Sequence, residues 1–348
     1  MTLALLVPLG AAQERVAADA QAIVNGARMA LSDAAVRRLT MSVHDTGGTA
    51  AGARVAAERA VAGGADVILG PLFAQSASAV APIAEREGIA VLSFSTDTNV
   101  AGPPVWVTGF TPEAQVDRIF GYASRQGIRR VAVYAPDVPY GAAALRAVDG
   151  AAARHGIVIV AESRYPRSFQ DIQRTARLFV EDATAGGAEA ILLPDFGQGL
   201  TTASSFIDFL GMPQPGTRYL GLGQWEAGTT LREPTLQGGW FAGADAAALD
   251  AFASDYVARY EQRPPFTAVL GFDAASIAAE LVRDSQGAGG GDPFSLTALT
   301  RETGFRGAVG AVRLNPDGTT TRGLAVLEVG NREFTLLEGA PARLGAGF

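Results

Sequence analysis

The sequence predicts an α/β protein of two lobes, each a mainly parallel sheet flanked by helices, with several strands crossing between the lobes as a hinge. Short apolar runs bounded by Gly, Pro or Asp alternate with Ala-rich stretches of helical length, the pattern of βαβ units. That alternation breaks near Pro112 and starts afresh, so there are two series rather than one. The length, 348 residues, suits about two domains of ~150 residues each.

Leu3 to Val7 reads as the first strand and Gln13 to Ser32 as its helix. "RLTMSVHDTGG" ends a second strand at His44-Asp45, and Thr49 to Ala62 gives a second helix. "ADVILG" and "IAVLSFS" supply two more strands around a helix from Ser76 to Arg86, and "PVWVTGFTP" a strand and a break. The second series runs through helices at Pro112 to Gln126, Tyr140 to His155, Phe169 to Ala185 and Gly199 to Leu210. Its strands are "RRVAVYAP", "GIVIVAESRYP", "AEAILLPDF" and "RYLGLGQW". "GGWFAGAD", Gly238 to Asp245, is expected to be a second junction, followed by helices at Ala246 to Glu261 and Phe272 to Arg283. "SQGAGGGDP" reads as a surface loop. From Gly310 to Glu338 apolar and polar residues alternate around Asp-Gly and Gly-Asn turns, as in antiparallel hairpins. The expected lobes are 1–110 with 246–318, and 111–245 with 319–348.

Composition excludes much chemistry. The net charge is −7 and there is no Cys, while all 28 basic residues are arginine. An acidic surface argues against a nucleic-acid partner. Without Lys there is no Walker A loop and no Schiff base, and without Cys no thiolate nucleophile or disulfide. His44 and His155 are the two histidines. No nucleophile elbow accompanies them, the "HDTGG" stretch reads as a turn, and "GGTAAG" lacks the dinucleotide fingerprint. Neither a catalytic group, a metal cluster nor a cofactor is expected. No apolar run reaches the ~18 residues of a membrane span. The chain opens on a strand, as a mature domain does, with any leader or lipoprotein anchor outside this sequence.

The stretches "LALLVPLG", "GADVILGPLFAQSASAVAPIAEREGIAVLSFSTDTN", "VYAPDVPYG" and "YEQRPPFTAVLGFDAASIAAELV" resemble type I periplasmic solute-binding proteins of the leucine/isoleucine/valine-binding kind. "HDTGGTAAGA", "FSTD" and "TGFTPEAQVDRI" are similar to the corresponding domain of penicillin-binding protein activators. The resemblance implies a non-enzymatic periplasmic protein that captures a small polar solute between its lobes by hinge closure. The implied partners are an ABC permease or, in the alternative reading, a peptidoglycan synthase regulated by surface contact.

Open parallel sheets bind ligands beyond the carboxyl ends of their strands. Gln75, Ser76, Ser95, Thr96 and Asp97 occupy two such exits in the first lobe. Amino-acid-binding members of the family place Ser and Thr at positions that match Ala74 and Asp97. A carboxylate at Asp97 repels another, so a neutral or cationic, donor-rich solute is expected. The competing reading has Ser76 capping its helix and Asp97 the turn before Asn99. In the second lobe Tyr140, Phe196 and Trp225 are candidates to sandwich the ligand, with Gln224 and Glu226 beside them as polar contacts.

Overall fold

A computed structural model describes residues 1–34, 36, 39–212, 216–287 and 290–344. The chain divides into two compact units, Met1–Thr111 with Ala246–Gly323 and Pro341–Phe348, and Pro112–Asp245 with Leu324–Ala340. It therefore passes from one unit to the other four times.

In the first unit five parallel strands run in the order β2-β1-β3-β4-β5. They are β1 (Thr2–Val7), β2 (Thr40–Asp45), β3 (Val67–Leu69), β4 (Ala90–Ser93) and β5 (Val105–Val107). Helices α1 (Glu14–Ala34), α2 (Ala50–Ala62) and α3 (Ala74–Glu87) connect the first four strands. Leu3, Leu5 and Val7 pack toward α1 on one face, and Ala4 and Leu6 pack with residues of α2 and α3 on the other. Both faces are covered, so the β1 sequence is continuously apolar rather than alternating.

The second unit holds a seven-stranded sheet, β15-β14-β10-β9-β8-β6-β7. Its elements in chain order are α4 (Pro112–Arg125), β6 (Arg130–Pro136), α5 (Pro139–His155), β7 (Val158–Tyr165), α6 (Phe169–Ala185), β8 (Ala190–Leu192) and α7 (Gly197–Phe209). There follow β9 (Arg218–Gly221), the short α8 (Gly228–Leu231) and β10 (Trp240–Gly243). The chain then returns to the first unit as α9 (Ala246–Tyr260), α10 (Ala268–Gly287) and the short α11 (Leu296–Leu299). An antiparallel sheet follows there, of β11 (Phe305–Gly307), β12 (Gly310–Leu314) and β13 (Thr320–Arg322). β14 (Ala325–Val329) and β15 (Phe334–Glu338) close the second sheet as an antiparallel hairpin.

Three readings of the sequence need correction. The expected junction at Gly238–Asp245 contains β10, which pairs parallel with β9 and antiparallel with β14, while the crossing after Asp245 stands where the expected lobes divide. The hairpin region divides after Gly323 rather than 318, because β13 pairs with β12 of the first unit, and Pro341 onward also belongs to that unit. α10 begins four residues before the expected Phe272. Gly271 is a point of helix contact, where a Cβ would stand 2.0 Å from the Ile23 carbonyl oxygen of α1. Gly26 of α1 approaches Ala268 in the same manner, so these two glycines let α1 and α10 pack with their backbones close. The expected loop at Ser285–Pro293 lies partly outside the described residues, with α10 reaching Gly287.

Candidate functional site

In the first unit β3 runs into Gly70, whose φ is +88° and whose added Cβ would lie 2.3 Å from the Leu6 carbonyl oxygen. Only glycine suits that conformation and that approach. α3 then starts with Phe73 at its N-cap, extended and without a side-chain hydrogen bond. Gln75 is exposed, and its Nε2 donates to the Gly48 carbonyl at 3.4 Å. Ser76 is fully buried inside the first turn and donates to the Thr49 carbonyl at 3.5 Å. It neither caps α3 nor faces solvent.

At the neighbouring β4 exit the hydroxyls brace the backbone. Ser93 donates to the Pro71 carbonyl at 3.1 Å, and buried Ser95 accepts from the Asp97 N–H at 3.0 Å. Thr96 is exposed. Asp97 caps a short 3-10 turn at Thr98–Val100, its Oδ1 accepting from the Asn99 N–H at 3.0 Å and from Asn99 Nδ2 at 2.7 Å. This is the local cap of the competing reading, and it uses Oδ1 of the carboxylate.

In the second unit the exits of β6, β8 and β9 are neighbours. Tyr140, half-buried in the first turn of α5, donates to Gln115 Oε1 at 3.2 Å, and the same oxygen accepts from the Gly223 N–H at 2.7 Å. Gln115 of α4 thus ties the β6 exit to the β9 exit. Burial pushes the Tyr140 phenol well above its ordinary pKa, against a backbone hydrogen bond from Gln224. Its ring meets Phe196 edge to face, with centroids 6.1 Å apart and planes at 85°. The Arg167 guanidinium lies 4.6 Å over the other aromatic, Phe196, and donates to the Phe196 carbonyl at 2.7 Å.

Beneath this pair sits Asp195, with no exposed surface. It accepts from the Tyr165 hydroxyl at 2.7 Å and from the Phe196 N–H at 2.8 Å, and pairs with Arg167 at 3.2 Å. Burial raises its pKa, while the Tyr165 and Phe196 hydrogen bonds and the Arg167 charge pull it down. Asp195 therefore positions Phe196 and Arg167 from below. Gly199 permits the packing, since a Cβ there would come within 2.4 Å of Asp195 Oδ2.

Trp225 does not join the other two aromatics on the surface. It is fully buried, its indole N–H donates to the Leu193 carbonyl at 3.1 Å, and its ring covers Gly221. Gln224 and Glu226 flank it with much of each side chain at the surface, the Glu226 carboxyl being only partly enclosed by protein. Burial of the Glu226 carboxyl pushes it up from its ordinary 4.5 to about 7, against a backbone hydrogen bond from Ala244. A carboxyl raised in the folded state contributes stability fully below its unfolded pKa and loses that contribution as pH rises through the folded one. The contribution of Glu226 to thermal stability is therefore expected to fall between pH 4.5 and about 7, and Glu226→Gln to remove that part of the pH dependence. Melting curves across this range check it, and an unchanged slope in the variant would count against the assignment.

A shared feature links the exits. The helices α3, α5 and α7, which follow the interior strands β3, β6 and β8, carry Phe73, Val138 and Phe196 at their N-caps and have no side-chain cap bond. The helices α2 and α6, which follow the edge strands β2 and β7, are capped by Thr49 and Ser168. An uncapped first turn presents backbone N–H groups and the positive end of the helix dipole, which suits an acceptor or anion. Reasoning from residue type missed this, along with Gln115, Tyr165 and Arg167. The available signal was an apolar residue where Ser, Thr, Asp or Asn is the rule.

Two doubly wound units with such exits have the design of an α/β ligand-binding protein. The chain belongs to the periplasmic binding protein family, whose model matches residues 2–333. Among solved structures it is similar to a protein from Rhodospirillum rubrum described provisionally as a branched-chain amino acid ABC transporter, at 20% identity over 97% of this chain and 99% of that one, TM-score 0.82. It is also similar to a solute-binding protein of an ABC transporter from Rhodopseudomonas palustris BisB5 in complex with 3,4-dihydroxybenzoic acid (19% identity, 100% and 99% covered, TM-score 0.66). A substrate-binding protein from Desulfitobacterium hafniense in complex with Leu matches at 18%, with 97% and 99% covered and a TM-score of 0.69. At these identities the likeness establishes the type I periplasmic binding fold. A search of the curated proteins finds no match. None of the three relatives is a penicillin-binding protein activator, and the reading as a regulator of a peptidoglycan synthase is not favoured.

Proposed function

We propose that this chain is a non-enzymatic periplasmic receptor that captures a small polar solute and delivers it to an ABC-type transporter or a sensor. The observation that carries the reading is the set of uncapped helices at interior strand exits, one in the first unit and two in the second. Solutes held by ABC-transporter binding proteins of the same fold include an amino acid and an aromatic acid, and both carry a carboxyl group.

Such a group suits the first turn of α3. The Asp97 carboxylate accepts from the Asn99 N–H and side-chain amide, neutral donors that leave its charge in place, so the solute's carboxyl is expected at the α3 turn and any cationic or donor group toward Asp97. In the first unit exposed Gln75 and Thr96 lie at the neighbouring β3 and β4 exits; within the second unit Tyr140 and Phe196 offer an apolar face beside the uncapped starts of α5 and α7. No bond is made or broken.

The experiment is a thermal-shift screen of amino acids, aromatic acids, nucleosides and polyamines on the purified chain. A solute at 100 times its dissociation constant adds about 2.7 kcal/mol of stability. Tyr140→Ala is expected to weaken that solute about tenfold, the loss of one aromatic wall and its contacts. Full retention of affinity in Tyr140→Ala, or no stabilisation by any of these classes, would contradict the reading.

A further inference from the structure

We propose that the second unit carries a separate binding site for a small organic cation of the alkylated-ammonium class, in the groove between α6 and α7. The groove has a volume of about 440 Å³, within the range of about 300–1,000 Å³ usual for small-molecule sites. Phe169 of α6 and Phe206 and Phe209 of α7 line it, with the hydroxyls of Thr202 and Ser205 and the carboxylate of Glu233. Phe169 is 61% exposed and Phe209 84%, apolar surface that the packing of this unit does not use. The Phe169 and Phe206 rings meet at 5.1 Å and 61°, giving two differently oriented aromatic walls.

Charge selects the ligand class. Glu233 is the one charged group among the described lining residues, in a chain whose 28 basic residues give it many chances to place a cation there. Three arginines close in sequence have other neighbours: Arg167 pairs with Asp195 at 3.2 Å, Arg174 with Asp171 at 2.9 Å, and the Arg232 guanidinium lies beside Gly228. Glu233 Oε1 accepts from the Thr235 hydroxyl at 2.9 Å and the Thr235 N–H at 3.4 Å. Both donors are neutral, so the carboxylate is oriented without being neutralised. Beneath the groove, burial raises the pKa of Tyr219, and the Asp208 and Glu233 carboxylates raise it further, as a locally negative field does. α7 ends at Phe209 and brings its carbonyl end to the groove, and the amide end of α6 is offset by Asp171 in its first turn.

Aromatic faces with one fixed carboxylate and no lining base attract a cation with an apolar surface. An anion is repelled, a neutral apolar molecule leaves Glu233 desolvated without a partner, and one carboxylate is too few oxygens for a hard metal ion.

Choline and its neutral isostere 3,3-dimethyl-1-butanol, titrated into the intact chain by calorimetry, separate these cases. Saturable choline binding is expected, with the isostere about tenfold weaker. Phe209→Ala and Glu233→Gln should each weaken choline by about two- to five-fold, the worth of one exposed cation–π or charge contact. Phe209 is exposed, so its variant should keep the wild-type melting temperature and isolate binding from folding. Equal binding of the two probes, choline binding that survives both substitutions, or no saturable choline binding would overturn the proposal.

Discussion

Arg322→Met is expected to lower the free energy of unfolding by about 3–5 kcal/mol, the effect of stranding one member of a buried ion pair. Arg322 and Asp273 side chains are 2% and 1% exposed and meet at 2.8 Å. The guanidinium also donates through Nε to the Thr108 carbonyl at 3.1 Å and lies 4.0 Å over the Phe110 ring. Methionine fills similar volume but leaves the Asp273 carboxylate with the Ala308 N–H as its remaining described hydrogen bond. The position matters for function as well as stability. Thr108 and Arg322 stand just before Thr111 and Gly323, where the chain leaves the first unit, so one buried arginine fixes the departure of two crossing segments. Urea unfolding measures the change. A loss below about 1 kcal/mol, the scale of an exposed pair, would mean that water reaches Asp273.

Trp225→Ala is expected to cost about 3–5 kcal/mol through the cavity left by a large buried ring, with the loss of the indole hydrogen bond to the Leu193 carbonyl, which keeps the Asp195 N–H as a donor. Gly221 gives no side chain to fill the space, because the indole ring already occupies the position of its missing Cβ. The loss belongs to folding rather than recognition, since no surface of Trp225 is exposed to a solute. Chemical denaturation should therefore show a lower midpoint, with solute affinity measured at low temperature reduced less than in Tyr140→Ala. An unchanged midpoint with abolished solute binding would place the indole in the site after all.

The helices and parallel strands were legible because both depend on the local pattern of apolar residues. β1 is continuously apolar because it is covered on both faces, and α6 matches its expected span because Ser168 marks its start. β10 was misread because Gly238, Gly239 and Gly243 resemble a linker, although Trp240 and Phe241 supply its pairing. The site was only partly legible. Residue type at a strand exit does not say which way a side chain turns: Ser76, Ser95 and Trp225 point into the protein, whereas Gln75, Thr96 and Gln224 do not. Gln115 lies on a helix well before the exits it joins, and only the tertiary structure brings its amide to Tyr140 and Gly223.

Amide hydrogen exchange with and without a saturating solute tests most directly whether the uncapped helix starts receive it. The first-turn N–H groups at Ala74 and Gln75 of α3, Tyr140 of α5, and Gly197 and Gln198 of α7 should slow together when the solute binds, and those of Thr49-capped α2 and Ser168-capped α6 should change little. No slowing at any uncapped start, or equal slowing at capped and uncapped starts, would contradict capture by these exits.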